Sequence, residues 1–228
     1  MGIQSITKNL LALIKSEGRK VSLQKKEIIQ STETSSKLCY IKGGYVKKYM
    51  ITNEGNVRIQ IIYGPGDVFP LSIAFKVLFD QDLYVGPEVY YYETMTHCEM
   101  VTLDKDKLTE NTRDDVYLYR DLLSEAGRRL YFNIQRLENS SLPSSYQRVA
   151  HQITFYAEVF GQTNSRGVKI KLPMTQQDLA DVLSTTRETV SLSISELRKK
   201  GLIKTERYWL IPDLGKLKEE SFSISDNS

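Results

Sequence analysis

The chain has 228 residues, 40% of them hydrophobic, which is enough for one large domain or two modest domains with buried cores. The formal charge is only +3, because 31 basic residues face 28 acidic ones, so a nucleic-acid partner needs local evidence. Two cysteines are too few for a disulfide-stapled secreted fold or a four-cysteine site.

The N-terminal region contains one short apolar run, from Leu10 to Ile14, which Lys15 interrupts. This run is shorter than the core of a signal peptide and much shorter than a membrane span. We therefore expect a soluble protein in the reducing cytoplasm, with no membrane partner.

From about residue 20 to residue 103, short β-rich runs alternate with turn residues. The segment KLCYIKGGYVKKYMI predicts two strands that break at Gly43-Gly44, and NEGN predicts a hairpin turn into VRIQIIYG. Pro65-Gly66-Asp67 predicts another turn, and EVYYYETM and CEMVTLD predict two later strands. We expect an antiparallel barrel or double-sheet roll within residues 1–113.

The segment 114–139 predicts one long helix, because it lacks proline and its apolar residues recur at alternating spacings of three and four. The pattern is typical of a coiled-coil dimer interface, on which Asn133 would fix the register of two strands. The alternative is a long helix that lies on the core of its own domain. The residues of this predicted seam are Val116, Tyr119, Leu123, Ala126, Leu130, Asn133 and Leu137.

Residues 139–145, NSSLPSS, break the helix, and a further domain is predicted over 144–228. Within it, Thr175 and Asp178 have the spacing of a capping box before a helix that buries Leu179, Ala180, Val182 and Leu183. After a turn at Ser184-Thr185, Thr186 can cap a second helix whose inner face is Val190, Ile194 and Leu197. This pattern predicts a helix-turn-helix, and LIKTERYWLIP predicts a hairpin wing after it.

The second of these helices lies in a locally basic segment, from residue 187 to residue 207. It contains six basic residues (187, 198, 199, 200, 204 and 207) and three acidic ones (188, 196 and 206), a balance of +3. In a helix-turn-helix, the N-terminal part of the second helix contacts base edges in the major groove. Arg187 is suited to guanine and Glu188 to the cytosine amino group. The alternative is a solvated pair of charges in the first turn of a helix.

Other side chains of the motif are suited to the DNA backbone, since hydroxyls, amides and cations hold phosphates. The full predicted DNA-binding set is Thr175, Gln176, Gln177, Thr185, Thr186, Arg187, Glu188, Thr189, Ser191, Leu192, Arg198 and Lys199.

The order of a β-roll, a long helix and a winged helix-turn-helix resembles the Crp/Fnr family of bacterial transcription regulators, over about residues 20–217. The segments that carry the resemblance are QQDLADVLSTTRETVSLSISELRKKGLI and YIKGGYVKKYMITNEGNVRIQIIYGPGDVF. It implies an α+β fold with a cyclic-nucleotide-binding-like roll, a homodimer on double-stranded DNA, and RNA polymerase as a partner. Activation and repression both stay open.

Two departures from the cyclic-AMP-responsive members follow from this resemblance. Their recognition helix has an Arg-Glu pair followed by a second Arg, whereas here Leu192 takes that last place and would touch a thymine methyl. Their roll has a Gly-Glu and a later Arg that hold the cyclic phosphate, whereas here Pro70-Leu71 and the tyrosines 90–92 occupy those regions. We therefore expect an effector other than cyclic AMP.

The predicted roll offers a candidate pocket for an apolar or aromatic effector. Because strand residues alternate, Tyr91 would face away from its two neighbours. Core packing or an interface is the alternative account of these aromatic side chains. The candidate pocket residues are Phe69, Leu71, Tyr90, Tyr91 and Tyr92.

No metal or cofactor site is predicted. The oxygen-sensing branch of the family needs four cysteine ligands for an iron–sulfur cluster, and the chain has only Cys39 and Cys98, which we expect in the core. His97 and His151 lack metal-spaced partners, so haem is unsupported and both are expected to be structural.

An enzyme of the metal-dependent cupin type would need several histidine and carboxylate ligands in the roll, and residues 20–110 contain one histidine. The sequence therefore predicts a DNA-binding regulator rather than an enzyme. A regulator whose roll is only a scaffold, active without any effector, is the alternative.

Overall fold

A computed structural model describes residues 7–30, 36–79, 90–205 and 208–223 of the chain. They form two compact units: the N-terminal unit extends to Tyr131, and the C-terminal unit begins at Phe132. The secondary structure mixes helices with antiparallel sheets, so the α+β prediction is confirmed. No helix within these ranges is long and apolar enough to cross a bilayer.

The N-terminal unit is a double-sheet roll. One sheet has the strand order β1-β8-β3-β6 and the other has the order β2-β7-β4-β5, and every recorded pairing is antiparallel. The strands are β1 Arg19–Leu23, β2 Ile28–Gln30, β3 Lys37–Gly43, β4 Val46–Ile51, β5 Val57–Tyr63, β6 Val68–Phe69, β7 Tyr91–Thr94 and β8 Cys98–Asp104.

Three helices of the N-terminal unit were not predicted from the sequence. They are α1 Lys8–Glu17, α2 Leu71–Phe79 and α3 Lys105–Thr112. The apolar residues of α1 pack into a core cluster that also contains Leu38, Leu103 and Leu122. Only the part of EVYYYETM from Tyr90 onward can be compared with the structure, because residues 80–89 lie outside the described ranges.

The predicted long helix is α4, Val116–Ser141. The two units divide within it, because Leu118 and Leu122 pack in the roll core while Phe132 packs edge-on against Phe155, with ring centroids 5.3 Å apart. The predicted domain limits at 113, 139 and 144 stay predictions.

The C-terminal unit combines helices with a four-stranded sheet of order β11-β12-β10-β9. Its helices are α5 Ser145–Phe160, α6 Gln176–Leu183, α7 Arg187–Lys199 and α8 Leu214–Phe222, and its strands are β9 Gly161–Asn164, β10 Gly167–Ile170, β11 Lys204–Thr205 and β12 Trp209–Ile211. A helix-turn-helix followed by a hairpin is therefore confirmed, although the hairpin turn at 206–207 is not described.

Candidate nucleic-acid interface

The first helix of the motif, α6, begins with the capping box that the sequence predicts. The Thr175 hydroxyl accepts from the Asp178 backbone N–H at 3.0 Å, and the Asp178 carboxylate accepts from the Thr175 N–H at 2.9 Å. Leu179 and Ala180 are fully buried, whereas Val182 and Leu183 are only half-buried. The predicted burial of these last two residues was therefore too high, because they lie at the end of a short helix where the chain turns.

The turn between the helices depends on Ser184, which adopts a left-handed backbone with φ 54°. The Thr185 N–H then donates to the Ala180 carbonyl at 3.1 Å, which closes the end of α6. The second helix, α7, starts at once, with the Thr186 hydroxyl accepting from the Thr189 N–H at 3.2 Å. Both predicted caps are confirmed.

The inner face of α7 is formed by Val190, Ile194 and Leu197, all buried as predicted. The opposite face is exposed and carries Arg187, Glu188, Ser191, Leu192 and Ser195. The Leu192 side chain is 73% exposed, an unusual position for a large apolar residue. The helix therefore presents a mixed surface of hydrogen-bonding groups and one apolar side chain.

Glu188 is held in its charged form. Its own backbone N–H, the Thr186 hydroxyl and then the Arg187 charge lower the pKa of this exposed carboxyl below its usual range. At neutral pH it is therefore an acceptor at the start of α7. This geometry is compatible both with a base contact and with a solvated first-turn pair.

Three neighbouring cations at the C-terminal end of α7 differ in their surroundings. Arg198 and Lys199 are exposed, and no hydrogen bond or ion pair with another described residue engages their side chains. Lys200 is different, since its ammonium lies 2.6 Å from Glu220 and 3.2 Å from Glu196. Arg198 and Lys199 are available to an external partner, whereas Lys200 is occupied within the protein.

Lys200 belongs to a clasp between α5, α7 and α8 that the sequence did not reveal. The Tyr146 hydroxyl donates to the same Glu220 carboxylate at 2.7 Å, and the Lys200 ammonium lies 4.8 Å from the Tyr146 ring centroid. The hydrogen bond from Lys200, and then that from Tyr146, lowers the pKa of Glu220. The clasp fixes the end of α7 within the unit.

The hairpin that follows α7 contributes Lys204, which is exposed. On the neighbouring strand β10, the Lys169 ammonium lies 3.4 Å from the centroid of the Tyr208 ring. Glu206 and Arg207, which the local charge balance included, lie outside the described residues.

A second surface of interest is the predicted seam on α4. Val116, Leu123, Leu130 and Leu137 recur every seven residues, and their side chains are exposed, with Leu137 at 70%. Tyr119 and Ala126 are half-buried beside them, and Asn133 lies on the same face. The inward face of α4 is instead formed by Leu118, Asp121, Leu122, Glu125 and Arg129, all of which are buried. The heptad leucines therefore do not lie on the core of their own domain.

Solved structures with this fold include a CooA mutant from Carboxydothermus hydrogenoformans, with a TM-score of 0.71 and 21% identity over 97% of both chains. FixK2 from Bradyrhizobium japonicum has a TM-score of 0.74 and 21% identity, over 91% of this chain and 99% of that one. At this identity the likeness establishes the fold.

Curated relatives add the function class. The CRP-like cAMP-activated global transcriptional regulator of Mycobacterium tuberculosis is 28% identical over 175 residues, 76% of this chain and 74% of that protein. Electron transport regulator A of Shewanella oneidensis is 26% identical over 194 residues, 85% of this chain and 74% of that protein. Residues 147–220 match the family model of the Crp-like helix-turn-helix domain. Residues 147–220 therefore carry a Crp-like helix-turn-helix domain, and the chain as a whole is similar to transcription regulators of the Crp/Fnr family.

These relatives are transcription regulators and not enzymes, and the chain shares with them a DNA-binding helix-turn-helix and a cyclic-nucleotide-binding-like roll. Among the residues described, no group of three or more His, Cys, Asp or Glu side chains could hold a metal ion.

The five candidate pocket residues do not share one environment. Phe69 and Tyr92 are buried and stacked, with ring centroids 4.9 Å apart, in a core cluster with Tyr63. Leu71 packs against the other core cluster, and Tyr91 is half-buried and stacks on Tyr49 at 5.4 Å. The predicted alternation of Tyr91 and Tyr92 is observed. Burial raises the pKa of the Tyr92 phenol, the other causes being smaller.

Tyr90 lies just before β7, where the Lys48 ammonium sits 3.8 Å from the centroid of its ring. For Phe69 and Tyr92 the structure favours core packing over a ligand-lining role, because both have less than a twentieth of their surface exposed, at 0% and 3%.

Two arginines on α4, Arg129, which is buried, and Arg128, which is largely covered, have no signature in the sequence pattern. The Asp67 Oδ1 atom lies 2.7 Å from Arg128 Nη1 and 3.1 Å from Arg129 Nη2, and Glu125 Oε2 lies 2.6 Å from Arg128 Nη2. The Arg129 guanidinium also lies 4.5 Å from the centroid of the Tyr63 ring. Burial acts to lower the pKa of Arg128, but Asp67 and Glu125 outweigh it and raise the pKa. These cations are paired with carboxylates of the roll and of α4 itself.

The cysteines and histidines occupy structural positions. Cys39 and Cys98 are buried in the roll core as predicted, and burial raises the pKa of the Cys39 thiol to about 12. His97 is exposed and lies 2.9 Å from the Ser22 hydroxyl, whereas His151 is buried on α5. Burial also lowers the pKa of His151, so its ring is neutral at pH 7.

Proposed function

We propose that this regulator binds a palindromic promoter site as a homodimer and reads bases with Arg187 and Glu188, under the control of an effector other than cyclic AMP. The observation that carries the proposal is the exposed outer face of α7. There, the guanidinium of Arg187 and the ionised carboxylate of Glu188 lie in the first turn of α7, and the exposed Leu192 follows on the same face. In this motif the N-terminal part of this helix enters the major groove.

The chemistry of this face supports discrimination between base pairs. Arg187 can donate two hydrogen bonds to guanine, and ionised Glu188 can accept from the amino group of cytosine. Leu192 has no polar side-chain atom and fits a thymine methyl. The half-site should therefore share part of the readout of the cyclic-AMP-responsive relatives and differ at the base pair that Leu192 faces.

The remaining predicted contacts are to the phosphate backbone. The N-terminus of α6 offers backbone N–H groups and a positive dipole end, beside Gln176 and Gln177. Arg198 and Lys199 lie in the last turn of α7, and they supply the positive charge among the residues that we assign to the phosphates. We assign backbone contacts to Thr175, Gln176, Gln177, Thr185, Thr186, Thr189, Arg198 and Lys199, and place Ser191 beside the bases.

The seam on α4 supports the homodimer. A heptad of exposed apolar residues along a 26-residue helix, about 39 Å long, is the pattern that a second copy of the same helix covers. Asn133, between Leu130 and Leu137 on this face, would favour a pair of helices in one register. Two recognition helices related by a twofold axis would then address half-sites about 34 Å apart.

The effector assignment rests on the roll. The mycobacterial relative is cAMP-activated by name, but here Pro70 is buried and Leu71 begins α2, where the resemblance requires a Gly-Glu. The two buried cations near the aromatic core are already paired with Asp67 and Glu125. A cyclic phosphate would have to displace a carboxylate, which costs desolvation of both groups. A roll that acts only as a scaffold is the alternative.

Similarity to the family points to RNA polymerase as a protein partner, which the DNA-bound dimer would recruit or obstruct in the cytoplasm. A shift assay with purified protein across a promoter library tests the DNA part of the proposal. We expect sequence-specific binding that weakens steeply with salt. An absence of sequence preference at low salt would refute it.

The same assay tests the effector. A change in DNA affinity on adding a cell extract supports an effector, and no change with extracts from varied growth conditions supports the scaffold alternative. An increase in DNA affinity with cyclic AMP would contradict our interpretation of the roll.

The dimer is tested by Leu130→Asp, which places a charge in the centre of the seam. We expect the molar mass from sedimentation to fall to that of the monomer, because the carboxylate would have to be desolvated in the interface. Ser124→Asp is the control, since Ser124 is exposed on α4 away from the seam. The molar mass of a dimer for both variants would show that the seam is not the interface.

A further inference from the structure

A cavity of about 750 Å³ opens on the outer face of the roll. It is built from the N-terminal unit alone, by the C-terminal end of α1 and strands β1, β3 and β8. Its volume lies within the range of about 300–1,000 Å³ that is typical of small-molecule sites. None of the residues assigned above to DNA, to the seam or to the candidate effector pocket lines it.

The floor of the cavity is apolar and firmly supported. Strand pairing places Tyr40 and Lys20 on either side of Val101, so the three side chains share one face of the sheet. Tyr40 and Val101 are half-buried and pack against the core cluster beneath them. A ligand on this floor would therefore meet an aromatic ring and a branched aliphatic side chain that do not move freely.

The wall that α1 provides is fixed at both ends. At its C-terminal end, Gly18 approaches β8 so closely that a Cβ there would overlap the Val101 side chain. At its N-terminal end, the buried Asp121 carboxylate accepts from the N–H groups of Asn9 and Leu10, each at 2.9 Å. The cavity is therefore pre-formed, which reduces the cost of ordering it around a ligand.

The rim is positively charged. Lys15, Lys20 and Lys42 line the cavity with a single carboxylate, Glu99, so the balance of these four side chains is +2. Glu99 lies 3.2 Å from Lys42. The side chains of Lys15 and Lys20 make no hydrogen bond or ion pair with any residue in the described ranges.

We propose that this cavity is a binding site for a small amphipathic anion, a carboxylate or phosphate ester with an aliphatic or aromatic body. The body would lie on Tyr40 and Val101, and the anionic head would face Lys15 and Lys20. An acidic protein segment fits less well, because such interfaces are large and shallow, whereas this site is a concave pocket of the size of one small molecule.

The test is an NMR titration of the full-length protein with octanoate, octyl phosphate and the neutral analogue octanol. We expect saturable shifts of the Gly18, Ser22 and Val101 amide signals with either anion, with a Kd of about 1 mM for a ligand of this size. Octanol should bind about fivefold more weakly, because exposed charge pairs contribute modestly. The tighter of the two anions identifies the preferred head group.

Matched variants locate the charge contribution. The double variant Lys15→Gln/Lys20→Gln should weaken octanoate binding about fivefold, to the level of octanol. The control Lys8→Gln/Lys25→Gln removes two exposed lysines that do not line the cavity and should leave the Kd unchanged.

Three results would overturn the proposal. One is the absence of saturable shifts up to about 10 mM octanoate, which is well above the expected Kd. Another is binding that both double variants weaken equally, since the charge effect would then be non-specific. The third is a hexaglutamate peptide that shifts the same amides at least about tenfold more tightly than octanoate, which would assign the surface to a protein partner.

Discussion

The arginines on α4 and the arginine at the start of α7 show opposite uses of the same side chain. Arg129 is buried, the side chain of Arg128 is only 9% exposed, and Asp67 holds both within 3.1 Å. Arg187 is exposed, and its side chain makes no hydrogen bond to a described residue. A buried guanidinium that is paired with carboxylates maintains structure, whereas an exposed one with an open hydrogen-bonding fork is available to a partner. The position of each arginine, and not the number of basic residues in the chain, indicates its role.

The largest effect should follow from Asp67→Asn, which removes the carboxylate that Arg128 and Arg129 share. The substitution keeps the shape but leaves the two guanidinium groups without their shared charge. We expect the free energy of unfolding to fall by about 3–5 kcal/mol, measured by urea denaturation. Glu99→Gln is the control, because that carboxylate belongs to an exposed ion pair and should cost less than about 1 kcal/mol. An equal loss of unfolding free energy in the two variants would show that the Asp67 cluster contributes no more to stability than an exposed ion pair does.

A smaller effect, on specificity and not on stability, should follow from Leu192→Arg. A second donor on the outer face of α7 would favour guanine over thymine at one base pair of each half-site, by about 1–3 kcal/mol. Site selection from random DNA measures this change. The alternative outcome, an unchanged preference at every position, would show that Leu192 does not face a base.

The smallest effect should follow from Lys199→Ala. Loss of one phosphate contact should weaken binding to all sequences about equally and reduce the slope of log affinity against log salt by about 1 per protomer. Titrations at several salt concentrations measure the slope. Lys200→Ala is a useful comparison, since Lys200 is engaged by Glu196 and Glu220 and should change the slope less. A larger change for Lys200 would reverse our assignment of the two lysines.

Local features of the fold could be predicted from the sequence. The caps at Thr175 and Thr186 depend on residues three positions away, and the inner face of α7 depends on helical periodicity. The exposed apolar heptad of α4 could likewise be predicted from the spacing of its residues alone. Because each of these signals lies within a few turns of one helix, the sequence alone identifies the recognition helix.

Features that join distant parts of the chain could not be predicted. Asp67 and Arg128 are separated by 61 residues, and Asp121 caps α1 from 111 residues away. Neither pair has a periodic signature, because each depends on where the roll places its turns. For the same reason, spacing alone could not show that Phe69 and Tyr92, two of the candidate effector-pocket residues, stack together in the core.

The central claim, that the outer face of α7 reads base sequence, is tested most directly by site selection with the wild-type protein and the Arg187→Ala variant. Lys25→Ala serves as a control that removes an exposed charge from the roll. We predict that Arg187→Ala loses discrimination at one base pair of each half-site, with a cost of about 1–3 kcal/mol on the best site, while the control matches the wild type. An identical selected site for all three proteins would contradict the claim.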